Sequence, residues 1–225
     1  MASLSRAPTA GFQKARRKFL RVFPEGFRDP TYLDWERDYK WESHQRWTAR
    51  LNAREFRALL KARQYDEVAA RALRVEQQSR HSMVFTFEKM ALRDAVRSRG
   101  GAELFATSLF AFLHGRRSLE RRFDDWVASL RALPRRQARL VTWPVATVFG
   151  FVAQPDTHFF VKPAVTRRAA LACGLDLPYR SQPSADIYAH VLDLAATTRR
   201  WLRDLRPRDL IDIQSFLWVQ GSDEY

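Results

Sequence analysis

Tyr32-Leu33-Asp34-Trp35-Glu36-Arg37-Asp38-Tyr39-Lys40-Trp41-Glu42-Ser43-His44-Gln45-Arg46-Trp47 is the stretch whose periodicity decides the fold class. At about 100° per residue, Asp34, Asp38 and Glu42 fall on one side of a helix. Tyr32, Trp35, Tyr39 and Trp47 cluster on the other, around Glu36, Lys40 and Ser43. Just upstream, Asp29-Pro30 reads as an N-cap followed by proline at the first helical position, so the helix is expected to run from there to about Leu51.

The same punctuation continues along the chain. Asn52 with Glu55 resembles a capping box for a helix striped by Phe56, Leu59 and Leu60, and Asp66 opens another bearing Val68, Ala69, Ala72 and Leu73. Leu59 to Glu76 looks like a tetratricopeptide hairpin, but no second copy follows at the required period, which excludes a repeat array. A helix from about Ser82 to Arg97 stops before Gly100-Gly101, and the next ends at Gly115 as a C′ glycine. Ser118 then caps a helix carrying Phe123, Trp126, Val127 and Leu130 as far as Pro134. After the basic segment Arg135-Arg136-Gln137-Ala138-Arg139, an apolar helix lies between Pro144 and Pro155, and Pro163 opens one that stops at Gly174. A long helix covers Ala185 to Leu205, and Pro207 starts the last, through about Val219. Only His158 to Val161 looks β-like, too short a run for a sheet. The expected class is all-α: a globular bundle of about nine or ten helices, with a basic arm over 1–28, an N-terminal subdomain over 29–134 and a C-terminal one over 135–225, the two either separate or continuous.

A chain of 225 residues can bury a core without staples. Its single cysteine, Cys173, excludes an intrachain disulfide and a thiolate zinc site, and a reducing, cytoplasmic compartment is expected. No apolar run is long enough to span a bilayer, so no membrane partner is expected. The net charge is +14, and arginine supplies 33 of the 39 basic residues. Such an excess calls for a polyanion, because neutralising phosphates releases counterions and gives affinity without base contacts. Nucleic acid, DNA in the first place, is the expected partner; the alternatives are an acidic protein or membrane surface, or no polyanion, the arginines being a merely solvated face. Ala95 to Leu140 holds ten arginines against four acids, whereas Ser181 to Tyr225 has five bases against seven acids. The first 22 residues carry six bases and no acid but lack the apolar region of a secretory signal; Phe12, Phe19, Leu20 and Phe23 make them a basic first helix.

Standard catalytic and cofactor signatures are missing: there is no Gly-rich phosphate loop, no His-Glu-x-x-His and no Gly-x-Ser-x-Gly. The five histidines are scattered, so neither a metal nor a cofactor is expected. Glu36 is the first candidate for chemistry: ringed by aromatics, it would have a raised pKa suited to acid/base work or to gripping a nucleobase, unless it simply pairs with Lys40 one turn on. Asp94 is the second. The wheel surrounds it with Met83, Phe87, Met90 and Ala91, and the opposite flank carries Phe85, Leu92 and Val96, so this helix is expected to be mostly buried and Asp94 paired or protonated. In the last helix Asp209 serves the first turn, and Asp212 and Gln214 are expected to be buried in a structural pillar.

The C-terminal part adds a resemblance. An apolar helix ends in Pro155-Asp156 with Phe159 and Phe160 shortly after, Val165 opens a short helix that ends in Gly174, and Asp212-Ile213-Gln214-Ser215-Phe216-Leu217-Trp218 follows late. In these features the region 139–219 resembles helical modules of bacterial restriction-associated and DNA-processing proteins, and distantly helical DNA glycosylases. A glycosylase would show a Gly-rich hairpin and a following catalytic aspartate; neither is recognisable, and Lys162 stands where the acid would be. The resemblance therefore implies association with DNA processing or defence and carries over no catalytic residue. The expected phosphate contacts are Arg135, Arg136, Arg139, Lys162, Arg167 and Arg168. The competing readings are a glycosylase-like hydrolase using Glu36 or Asp94, and a basic scaffold protein.

Overall fold

The computed structural model describes residues 7–77, 83–134 and 140–225. The Thr9 hydroxyl accepts the Phe12 N–H and starts α1 (Ala10–Val22), which buries Phe12, Ala15 and Phe19 along one face. Asp29 caps the next helical run as the sequence predicts, accepting the N–H groups of Thr31 and Tyr32. That run is α2 (Pro30–Tyr32), a π-helical turn over Leu33–Arg37, and α3 (Asp38–Leu51). Asn52 caps α4 (Ala53–Lys61), and Ser118 caps α8 (Leu119–Ala132). Between them lie α5 (Tyr65–Gln77), α6 (Thr86–Ala95) and α7 (Arg99–His114). The chain continues through α9 (Trp143–Ala153), α10 (Pro163–Ala172), α11 (Ala185–Trp201) and α12 (Leu210–Gly221). Taking 30–51 as one, eleven helices stand among the described residues, with no strand; the class is all-α.

Two helices are buried nearly all round and organise the rest. α9 is covered from Trp143 to Val152, and α12 from Leu210 to Leu217. Both lack a charged exposed face, which a helix can sustain only inside other layers. α3 and α7 pack on α9, and α8 joins it to α11. α10 and α1 lie against α12. α10 comes so close that a side chain at Gly221 would meet the Val165 carbonyl oxygen at 2.1 Å. One contiguous set of buried apolar side chains reaches from Phe12 to Val219.

Several ends differ from the sequence reading for local reasons. The last helix begins at Leu210, not at Pro207, because Asp209 supplies the cap by accepting the N–H groups of Ile211 and Asp212. α11 stops at Trp201, and a 3-10 turn over Arg203–Leu205 closes with Arg206 in the left-handed region at φ 54°. Gly174 does take the left-handed conformation expected after α10, with φ 66°. Gly115 does not: it is extended at φ −67°, and a side chain there would strike the Ala111 carbonyl oxygen at 2.3 Å. Residues 158–161 belong to no strand or helix.

His158 sits at the centre of this packing, fully buried. Its ring fills the space left by Gly150, where a side chain would come within 2.8 Å of it. It lies edge-on to Phe112 at 4.7 Å, with Nδ1 3.3 Å from the Tyr188 hydroxyl and Nε2 without a partner. Burial, aided by the Arg122 charge, pushes its pKa down to about 3. The unfolded chain takes up that proton near pH 6.5. The stability from this group is therefore complete above pH 6.5 and is lost as pH falls toward 3, up to about 5 kcal/mol. Urea unfolding between pH 4 and 7 should show His158→Gln with a shallower loss of stability on acidification than the parent; equal slopes would refute this role.

Candidate functional site

The helical run over 30–51 faces α12 across a pocket of about 640 Å³. Its walls are aromatic: Trp35 and Tyr39 from one side, Trp218 from α12, Phe160 from the segment over 158–161, and Tyr225 at the C-terminus. Its polar lining is Glu36, Lys40, Gln214 and Lys162, with Asp34 and Glu224 nearer solvent. Three carboxylates thus face two ammonium groups, and the pocket itself is not basic although the chain is.

The π-helical turn places its key groups. A π turn widens the helix by one residue and is frequent at functional sites. Here it turns both Glu36 and Arg37 inward, the first toward the pocket and the second behind it. Glu36 Oε2 accepts a hydrogen bond from Lys40 Nζ at 2.9 Å, and Oε1 accepts one from the Tyr225 hydroxyl at 2.6 Å. Lys40 Nζ also donates to Ser215 Oγ at 2.8 Å, which ties the pair to α12. Burial lowers the Lys40 pKa, and the Glu36 carboxylate opposes that shift. Burial and the Glu36 charge raise the Tyr225 phenol well above its usual value, so it remains a donor.

Behind this pair lies a second buried network. Arg37 donates to Asp209 through both terminal nitrogens, at 2.9 and 2.7 Å, and to Asp212 at 2.8 Å. Asp212 also accepts from the Tyr32 hydroxyl at 2.7 Å and from Arg208. Burial alone would raise the Asp212 carboxyl; the Arg208 hydrogen bonds, the Arg37 charge and Tyr32 together hold it below the ordinary carboxylate value.

Gln214 is the polar group left over. It is only 5 % exposed, it lines the pocket, and its Oε1 has no hydrogen-bond partner. A buried amide oxygen without a partner costs on the order of 1–3 kcal/mol, which a ligand with a donor would recover.

Of the residues singled out in the sequence, Glu36 and Asp212 come to this one region, in adjoining networks. Asp94 does not, and its expected burial is wrong. α6 buries Glu88, Leu92 and Ala95, which turns Asp94 to solvent with its side chain 52 % exposed and 3.7 Å from Arg97. Two of the apolar residues grouped with it are exposed as well, Phe87 by 56 % and Met90 by 60 %, whereas Met83 is buried. Lys162 enters the pocket, its ammonium 4.8 Å from the Trp218 ring centre and 5.1 Å from that of Phe85. Arg168 pairs with Asp223 at 2.9 Å, and Arg167 lies 4.7 Å over Tyr179, both on the exposed side of α10. Arg135, Arg136 and Arg139 lie outside the described residues.

A second hollow, of about 390 Å³, flanks the end of α12 where Lys14, Arg17, Lys18 and Arg21 of α1 meet Gln220. It has no acidic lining residue, and Lys18 anchors it by donating to the Val219 carbonyl at 2.7 Å. Among the described residues no three His, Cys, Asp or Glu side chains group to hold a metal ion. No protein-family model, curated protein or solved structure matches the chain.

The Glu36–Lys40 pair is buried on both sides, so breaking it strands a charge. Glu36→Gln should cost about 3–5 kcal/mol, whereas adding Lys40→Met to it should restore a large part of that loss. A double-mutant cycle by urea unfolding reads this, and additive single-variant effects would contradict it.

Proposed function

We propose that the protein binds nucleic acid and holds one unstacked base in the aromatic pocket beside Gln214. The observation that carries this reading is the buried, unpartnered Gln214 oxygen between the Tyr39, Phe160 and Trp218 walls. A side-chain amide offers an acceptor and two donors, the repertoire needed to pair with the edge of a base. Aromatic faces supply the stacking that a base loses when it leaves its neighbours.

Charge distribution supports the same reading. The pocket has more carboxylates than ammonium groups, which disfavours an anion inside it, while the chain carries +14. A base is neutral and its backbone is not, so the base fits the pocket and the phosphates fit the basic surface outside. The hollow made by Lys14, Arg17, Lys18 and Arg21 next to the end of α12 is suited to that second task. Both Glu36 oxygens are already engaged, one by Lys40 and one by Tyr225, which favours a positioning role for Glu36 over proton transfer.

Fluorescence anisotropy with a labelled oligonucleotide should show affinity that falls steeply as KCl rises. Gln214→Leu should weaken binding about tenfold while leaving the melting temperature unchanged or higher, because it deletes a buried group that has no partner in the free protein. Absence of salt-dependent binding, or full binding by Gln214→Leu, would overturn the proposal.

A further inference from the structure

We infer that the nucleic acid is single-stranded and that it leaves the pocket along the exposed face of α6, with successive bases stacked on Phe85 and Phe87. This inference rests on the base-binding reading of the pocket and adds the class of strand and its path.

The two phenylalanines are 50 % and 56 % exposed, and their rings lie nearly parallel, 9° apart with centres separated by 5.6 Å. Large apolar side chains held half in the open in this way forgo part of the stabilisation that full burial would give. The backbone at Phe85 is tied down all the same. The Phe85 N–H donates to Glu88 Oε2 at 3.0 Å, and the other oxygen of this buried carboxylate accepts from the Thr142 hydroxyl at 2.5 Å. A carboxylate is thus buried to fix the backbone from which an exposed ring projects.

The rings join the pocket directly. Lys162, which lines the pocket, bridges the faces of Phe85 and Trp218, and Met83 in the pocket wall is two residues from Phe85. Away from the pocket the exposed face of α6 continues through Met90 to Arg93 and Asp94, and Arg97, just past the helix end, lies 3.7 Å from Asp94. Beyond Arg97 the surface opens into a hollow of about 430 Å³ that Arg63 and Arg99 also line, with Asp66 the one acid. Phe87, Met90, Asp94 and Arg97 therefore form one strip, aromatic near the pocket and net positive far from it, where Arg93, Arg97, Arg63 and Arg99 stand against Asp94 and Asp66.

An aromatic and cationic strip of this kind matches an unpaired strand. Base–aromatic stacking needs a free base face, which a duplex hides, and arginines farther along the strip meet the phosphates of the strand that continues past the rings. A neutral protein or lipid partner would match the phenylalanines but not the net positive charge that extends their line.

Anisotropy of the full chain with a fluorescein-labelled 15-nucleotide strand of mixed sequence, and with the same strand annealed to its complement, tests this. The single strand should bind at least tenfold more tightly than the duplex. Phe85→Ala with Phe87→Ala should erase about tenfold of that affinity and leave the duplex value unchanged, and circular dichroism should show the fold intact. If the double variant binds the strand as the parent does, or the duplex binds as tightly as the strand, the inference fails, and a loss in Gln214→Leu alone would leave the pocket reading standing. If neither oligonucleotide binds, both fall together.

Discussion

The contact on which the rest of the structure depends is the guanidinium of Arg37 held between Asp209 and Asp212. Asp209 begins α12 by capping it and at the same time receives both terminal nitrogens of Arg37. One carboxylate thus fixes the start of a buried helix and the rotation of the π turn facing it. Tyr32 and Arg208 complete the shell around Asp212, so the charges are paired in every direction that the packing exposes. Buried ion pairs of this kind add little net stability against an apolar alternative, but removing one member leaves an uncompensated charge. What the network specifies is register: with Arg37 committed behind the helix, Glu36 and Lys40 have only the pocket side available.

The pocket follows from this arrangement. Two polar networks tie the 30–51 run to α12 beside the pocket, one through Arg37 with Asp209 and Asp212 and the other through Lys40, which donates to Ser215. The space is walled by aromatic rings, with an amide oxygen left without a partner at 5 % exposure. Binding and stability pull in opposite directions at that atom, since an apolar residue would suit the empty protein better than glutamine does. A slightly acidic cavity in a chain of net +14 is the electrostatic division on which the proposed separation of base from phosphate recognition rests.

Much of the fold was legible because it is written locally. Asp29, Asn52, Ser118 and Asp209 cap helices by contacts within three residues, and such signals survive any tertiary context. The inward position of Glu36 could be read from the wheel, and so could its pairing with Lys40. The π turn could not, because its reason is Arg37 reaching residues 172 and 175 positions away. α6 was misread because both of its faces carry large apolar residues, and a wheel does not say which face meets the core. Glu88 decides it, drawn inward by Thr142. Gln214 and Trp218 were hidden in a helix so apolar that it reads as a pillar throughout, and Tyr225 joins them only through the path of the last residues. The stripe taken for core around Asp94 is the exposed strip beside the pocket.

The central claim is that a base enters the space between the 30–51 helical run and α12. Irradiating the protein with a single strand that carries 5-iododeoxyuridine at one position, and mapping the cross-links by mass spectrometry, tests this most directly. The account predicts adducts at Trp35, Tyr39, Trp218 or Tyr225; adducts confined to other aromatic residues, with none of these four labelled, would contradict it.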